Sequence, residues 1–460
     1  MKLQRYIGSR AFYRRLLSVM LPILVQSVIT NFVSLLDNIM VGQVGTEPMS
    51  GVAIINQLMF VFNLCIFGGL AGAGILTAQF YGSGDARGMA DTFRAKLYIA
   101  FGAVLAFLAV FSLGGRWLIR QFIHAGSEAL DMAATMTHAW DYLSIMLLQM
   151  PPFALQMAYS STLRETGETM LPMKAGIAAV AVNLLLNYLL IFGKLGMPAL
   201  GVEGAAIATV IARYLECAVI VLWTHRHRAR NSFLETAFST WRIPGALLRQ
   251  IAVMGLPLLV NELLWSSGTA ALNQCYSMRG LEVVSAINIA SVVSNLFFCA
   301  FLSMGNAISI IVGQLLGAHE LERAVEEDRR LIAFSVALCT AVGLVMLLIA
   351  PLVPRIYNTS GHVRHLAAQV ITVVACCMPV YSFTNSCYFT LRAGGQSIVT
   401  FVFDSLYQWT LVVPLAFALS RFTALPILPM YIAVQSMELI KCMLGWYLLR
   451  KRRWVRDLVS

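Results

Sequence analysis

Three carboxylates stand where hydrocarbon is expected: Asp37, Glu262 and Asp404 each lie in an apolar run, with no cation within one helical turn along the sequence. An ionised side chain at the centre of a bilayer-spanning helix costs about 2.5–3.5 kcal/mol on insertion scales, so each acid needs a function or a partner. Desolvation disfavours the charged form, and such an acid can therefore exchange a proton with water. The same carboxylate, surrounded by amide and backbone oxygens, can instead hold a dehydrated Na⁺. The residue types leave both chemistries open.

Asn183 and Asn187 are spaced i, i+4, which puts two amides on one helix face that suits a shared site with Asp37. The alternative is an ordinary interhelical hydrogen bond, worth about 0.6 kcal/mol per pair in a bilayer. The other charges in apolar runs come in pairs: Arg213 with Glu216, and Glu438 with Lys441, are three apart and can neutralise each other locally. Asp141 begins its run, where headgroups and water solvate it. Pro22 and Pro257 remove an internal hydrogen bond from their helices and are expected as hinges. The glycine-rich run Gly68–Gly74 lies mid-span without a following Lys-Ser or Lys-Thr, so it reads as close helix packing rather than a phosphate loop.

The elements that must position these groups are helices in a bilayer. Of the 460 residues, 59% are hydrophobic and 12% charged, against about 25% charged in a soluble domain. Apolar stretches near 15–40, 51–80, 96–114, 139–161, 171–193, 203–224, 251–277, 284–316, 331–353, 366–391, 397–420 and 426–449 predict twelve spans. These runs are too long and too uniformly apolar for transmembrane strands, so the fold class is all-α and polytopic, with the lipid bilayer as its surroundings. The start, MKLQRYIGSRAFYRRLLSVML, lacks a small-residue cleavage site, and no cleaved signal peptide is expected.

A formal charge of +11 could point to nucleic acid, but most of the 33 Lys and Arg fall in alternate loops and at the two ends of the chain. That is the positive-inside pattern of a protein with both termini cytoplasmic, and no nucleic-acid partner is expected. The nine cysteines are an odd set lying mostly in apolar runs, and the seven histidines, His124 among them, fall in loops or at span ends. No cluster has zinc or iron spacing, so no structural metal and no cofactor is expected, and a metal-dependent intramembrane enzyme is disfavoured.

The chain repeats itself. Residues 14–94 overlie 249–329 without a gap, matching Arg14, Pro22, Asn38, Gly45, Gln79, Gly82 and Arg94 with Arg249, Pro257, Asn273, Gly280, Gln314, Gly317 and Arg329. A second register pairs Met150-Pro151 with Met378-Pro379, and Thr162-Leu163-Arg164 with Thr390-Leu391-Arg392. Matches at polar and special residues exclude a chance overlap of two greasy helices. The expected organisation is an N-terminal six-helix lobe, 1–224, a cytoplasmic linker, 225–250, and a C-terminal six-helix lobe, 251–460. Two like bundles inserted the same way up can rock about a central cavity, which makes a transporter the leading expectation.

Several motifs together resemble the multidrug and toxic compound extrusion (MATE) transporters, in particular their bacterial branch. They are Asp37-Asn38-Ile39-Met40-Val41-Gly42 closing the first span, Gln79-Phe80-Tyr81-Gly82 closing the second, Arg164-Glu165-Thr166-Gly167 after the fourth, Asn183 with Asn187, and Gly201-Val202-Glu203-Gly204-Ala205-Ala206-Ile207-Ala208-Thr209 opening the sixth. The resemblance covers nearly the whole chain. It implies an antiporter of the cell (inner) membrane that exports amphipathic, often cationic small molecules in exchange for H⁺ or Na⁺. It further implies that Asp37 is the coupling-ion carboxylate, that Asn183, Asn187 and Thr209 complete its polar network, with Na⁺ held at Asp37, Asn187 and Thr209 if sodium is the ion, and that Pro22 lets the first helix bend. In the C-terminal lobe the match is looser: Glu262 follows Pro257 by only five residues, and Asp404, deeper in the eleventh span, stands in for an acid that some members carry after the tenth. Both are expected to face a C-lobe cavity. A monomer is expected, and a flippase for lipid-linked saccharides or lipids is the alternative within transport.

Overall fold

The computed structural model describes residues 6–122 and 132–460, so His124 lies outside the described part. Among the described residues there are helices and turns but no strand. Eleven helices are long and apolar enough to cross a membrane. In the N-terminal half these are the first (Arg10–Gly42), second (Pro48–Ser83), third (Ala86–Phe122), fifth (Met170–Phe192) and sixth (Gly201–Arg226) spans. In the C-terminal half they are the seventh (Gly245–Ser277), eighth (Leu281–Gly317), ninth (Leu321–Ile349), tenth (Gly361–Ala393), eleventh (Ser397–Phe422) and twelfth (Ile427–Arg450). The fourth span is a helical run in pieces: Met132–Met146, a 3-10 turn Leu147–Gln149, then Met150–Glu165. The twelve-span all-α fold expected from hydropathy is the fold observed.

Prolines account for the irregularities. Pro151 and Pro152 carry no N–H for the carbonyls of Leu147 and Leu148, and the fourth span tightens at that place. In the eleventh span Pro414 leaves the Thr410 carbonyl without its helical donor, and the chain before it widens into two consecutive π-helical stretches, Val402–Leu406 and Gln408–Val412. Pro22, Pro257 and Pro379 lie inside unbroken helices.

The chain packs as two compact units. The first comprises Val25–Thr77 and Ala86–Ile251; the second comprises Met1–Leu24, Ala78–Asp85 and Ala252–Ser460. Compactness therefore partitions the chain differently from the repeat, because the start of the first span and the end of the second pack with the C-terminal half. The seam in the first span, between Leu24 and Val25, falls just past Pro22.

Ile55, Phe62, Leu143 and Met150 are buried at the centre of the first unit. There the segment 225–250 is tied to the third span: Arg94 donates to the carbonyls of Ala237 at 2.8 Å, Thr236 at 2.7 Å and Arg242 at 3.2 Å. The second unit has one core around Cys339, Met346, Met378 and Met430, and another around Leu16, Met304, Ile311 and Phe403. Within it the second and eighth spans approach so closely that a Cβ on Gly82 would collide with the Gln314 carbonyl, and one on Gly317 with the Gln79 carbonyl. The repeat pairs Gly82 with Gly317 and Gln79 with Gln314, so this contact is reciprocal. The Gln79 amide also accepts from the backbone N–H of Leu458 at 2.8 Å and donates to the Ala393 carbonyl at 3.1 Å, fastening the C-terminal tail.

Candidate functional site

Asp37 sits near the end of the first span and Asn183 and Asn187 share one buried face of the fifth. The Asn187 amide donates to Asp37 Oδ1 at 2.7 Å. The Asn183 amide nitrogen faces both Asp37 oxygens at 3.2 Å, and its oxygen accepts from the Thr209 hydroxyl, also at 3.2 Å. An ionised carboxylate can only accept, so both asparagine amides suit a charged Asp37. The Asn187 side-chain oxygen is buried and has no hydrogen-bond partner among the described residues. Asp37, Asn183, Asn187 and Thr209 thus form one hydrogen-bonded group.

Arg213 and Glu216 also meet as expected, Nη1 to Oε2 at 2.9 Å. Glu216 is buried and accepts from Gln156 as well, at 3.1 Å. The Arg213 guanidinium lies over the Phe153 ring, 5.3 Å from its centroid, within electrostatic reach of Asp37.

In the second unit Glu262 and Asp404 do share a cluster, but Asp404 is not a lone acid. Lys441 of the twelfth span reaches across and donates to Asp404 Oδ1 at 2.7 Å, while its distance to Glu438 is 3.9 Å. The i, i+3 pairing of Glu438 with Lys441 is therefore secondary to a bridge between spans, and Asp404, which has no cation within one helical turn along the sequence, meets one from another span. A stretched ammonium side chain prefers the carboxylate it can touch. Asn261, almost wholly buried, donates to Asp404 Oδ2 at 3.1 Å and to the Tyr388 hydroxyl at 3.3 Å, and Tyr388 in turn donates to Glu262 Oε1 at 3.4 Å.

Sequence reasoning passed over Asn261 and Tyr388, which link the two acids. It also passed over Lys96, fully buried on the third span, whose ammonium meets Thr162 at 3.0 Å and the Glu165 carboxylate. In the second unit the repeat-related Thr390 instead donates to buried Asp328 at 2.6 Å. Lys96 and Asp328 were legible only as charges at the edges of apolar runs.

With the geometry described, the comparisons decide the family. A match to the MatE family covers residues 22–189 and 257–418, one stretch in each half of the repeat. The chain belongs to the MatE family. Other MatE-type proteins align along most of its length: a probable multidrug resistance protein NorM of Thermotoga maritima, 22% identical over 92% of this chain and 88% of its own, and the multidrug resistance protein PmpM of Pseudomonas aeruginosa, 26% identical over 91% and 86%. Among solved structures, the Vibrio cholerae MATE transporter VcmN in its bent form superposes with a TM-score of 0.84 at 18% identity, covering 96% of this chain and 97% of that one. The fold and family are those of MATE multidrug efflux transporters, multi-pass proteins of bacterial membranes.

Proposed function

We propose that this protein is a secondary antiporter of the bacterial plasma membrane, working as a monomer with both termini cytoplasmic. By alternating access it exports amphipathic, cationic small molecules in exchange for H⁺ or Na⁺, with Asp37 as the coupling carboxylate. The observation that carries this reading is the pair of neutral amide donors on Asp37: Asn187 at 2.7 Å and Asn183 at 3.2 Å. When Asp37 takes a proton it turns from acceptor to donor, and a half-turn of the Asn183 amide would then reverse the chain Asp37, Asn183, Thr209 and turn the Thr209 proton to the Ala205 carbonyl without moving a helix. The site is thus stable in both charge states, as an exchange site must be. For Na⁺, the carboxylate, the unpartnered Asn187 oxygen and the Thr209 hydroxyl offer the hard oxygen donors such an ion takes.

Pro22 couples the site to conformation in this reading. It stands at the point where the first span passes from one compact unit to the other, so a bend there changes the course of the segment bearing Asp37. Linkage then requires that ion and drug oppose one another in affinity. The test is uptake and release of ethidium and tetraphenylphosphonium by vesicles reconstituted with the protein, with pH and Na⁺ gradients imposed separately. The expected result is movement driven by one of the two gradients and lost in Asp37→Asn; transport indifferent to both gradients overturns the proposal.

A further inference from the structure

Both oxygens of Asp404 are taken, one by the Lys441 ammonium at 2.7 Å and the other by the Asn261 amide at 3.1 Å. Asn261 is itself held fast: its side-chain oxygen accepts from the Ser405 hydroxyl at 2.7 Å, and the same hydroxyl lies 2.7 Å from the Asn261 backbone carbonyl. Lys441 is fixed from a second side by the Phe403 ring, 5.3 Å from centroid to Nζ. Asp404 and Phe403 belong to the π-helical stretch Val402–Leu406, a rare conformation whose wider turn sets where these side chains emerge. The next π-helical stretch, Gln408–Val412, is pinned to the seventh span by Trp409, which donates to the Leu264 carbonyl at 2.8 Å. Glu262, by contrast, makes no ion pair among the described residues: the Tyr388 hydroxyl meets it at 3.4 Å, and the Arg392 guanidinium acts on it from beyond contact distance.

We propose that Lys441 is a positioning residue that holds Asp404 as a permanent ion pair, withdraws it from exchange, and leaves Glu262 as the exchangeable carboxylate of the second unit. An acid that must surrender a tethered ammonium in direct contact before it can take a proton or an organic cation competes poorly with a neighbour that has no such contact ion pair to break. The ammonium cannot leave, because it is covalently part of the twelfth span. The charged and titratable groups around Asp404 are Lys441 and Glu438 from the twelfth span, Glu262 from the seventh, Tyr388 and Arg392 from the tenth, and Tyr407 on its own span. Lys441 alone among them is a cation in direct contact with it. For transport this deepens the proposed exchange and rests on it; for protonation it stands alone.

The experiment is infrared difference spectroscopy of the full chain in lipid vesicles between mildly alkaline and mildly acid buffer, reading the protonated-carboxyl band. Lys441→Met keeps the stem and removes the charge, and is expected to gain one carboxyl relative to the unmodified protein. That gain disappears when Asp404→Asn is added and is absent in Lys441→Arg. In Glu262→Gln the unmodified protein's own band is expected to shrink by one carboxyl. No gain in a folded Lys441→Met, a gain that survives Asp404→Asn, or a Lys441→Arg that behaves as Lys441→Met overturns the inference. Ethidium binding is measured on the same samples. If the unmodified protein binds none while the spectra behave as expected, the antiport reading fails and the role of Lys441 is retained.

Discussion

Asp37 and Asp404 are both aspartates inside apolar spans, and each accepts from an asparagine amide, Asn187 at 2.7 Å and Asn261 at 3.1 Å. They differ in the remaining partner. Asp37 faces the neutral amide of Asn183; Asp404 faces the fixed charge of Lys441. Neutral, reversible dipoles can follow a change in the acid's charge, whereas a tethered ammonium opposes it. Two acids that look alike along the sequence are therefore suited to opposite tasks, one to exchange and one to hold. The repeat sharpens the point: it sets Leu272 opposite Asp37 and Ser27 opposite Glu262, so neither acid has an acidic counterpart in the other half. The duplicated scaffold has been kept and its chemistry has diverged.

The hardest blow to this contrast comes from Asp37→Asn. It should reduce gradient-driven efflux about 100-fold or more while leaving folding intact, since removing the charge also removes the insertion cost of about 2.5–3.5 kcal/mol; vesicle transport alongside thermal unfolding checks both halves of the statement. Next is Lys441→Met, which leaves a buried carboxylate without its cation and should destabilise the protein by about 3–5 kcal/mol. Much of that loss should return in Lys441→Met with Asp404→Asn, read from detergent-scanning stability. An additive pair would mean that the bridge is not the relevant contact.

Asn187→Leu deletes a hydrogen bond to a charged acceptor and should weaken the ionised form of Asp37 by about 1.5–3 kcal/mol. The pH midpoint of transport should then move upward, because the neutral acid loses less than the carboxylate does; an unchanged midpoint would place Asn187 outside the coupling step. The smallest effect is expected from Thr209→Val, about 1 kcal/mol, seen as a shallower response to pH because the far end of the reversible chain is lost.

The extent of what could be read from sequence follows from the range of each signal. Hydropathy acts over twenty residues and gave the spans; the helices outrun the apolar runs, Arg10–Gly42 against 15–40, because helical backbone satisfies itself in water as well as in lipid. Asn183 and Asn187 were legible because their spacing is local. Lys441 and Asp404 are on different spans, and spacing along one helix offered Lys441 only Glu438. Asn261 looked like any amide beside an acid, and nothing in Ser397–Phe422 announced two π-helical stretches beyond Pro414. Thr209 became visible only through the resemblance to MATE transporters.

The reciprocal glycine contact is its own mirror along the repeat. Gly82 meets the backbone at Gln314 and Gly317 meets it at Gln79, and the repeat makes these the same two positions met twice. That is the geometry of an isologous interface, in which one patch is its own complement. Either half alone carries this glutamine and glycine once, so the contact is complete only where two such halves meet.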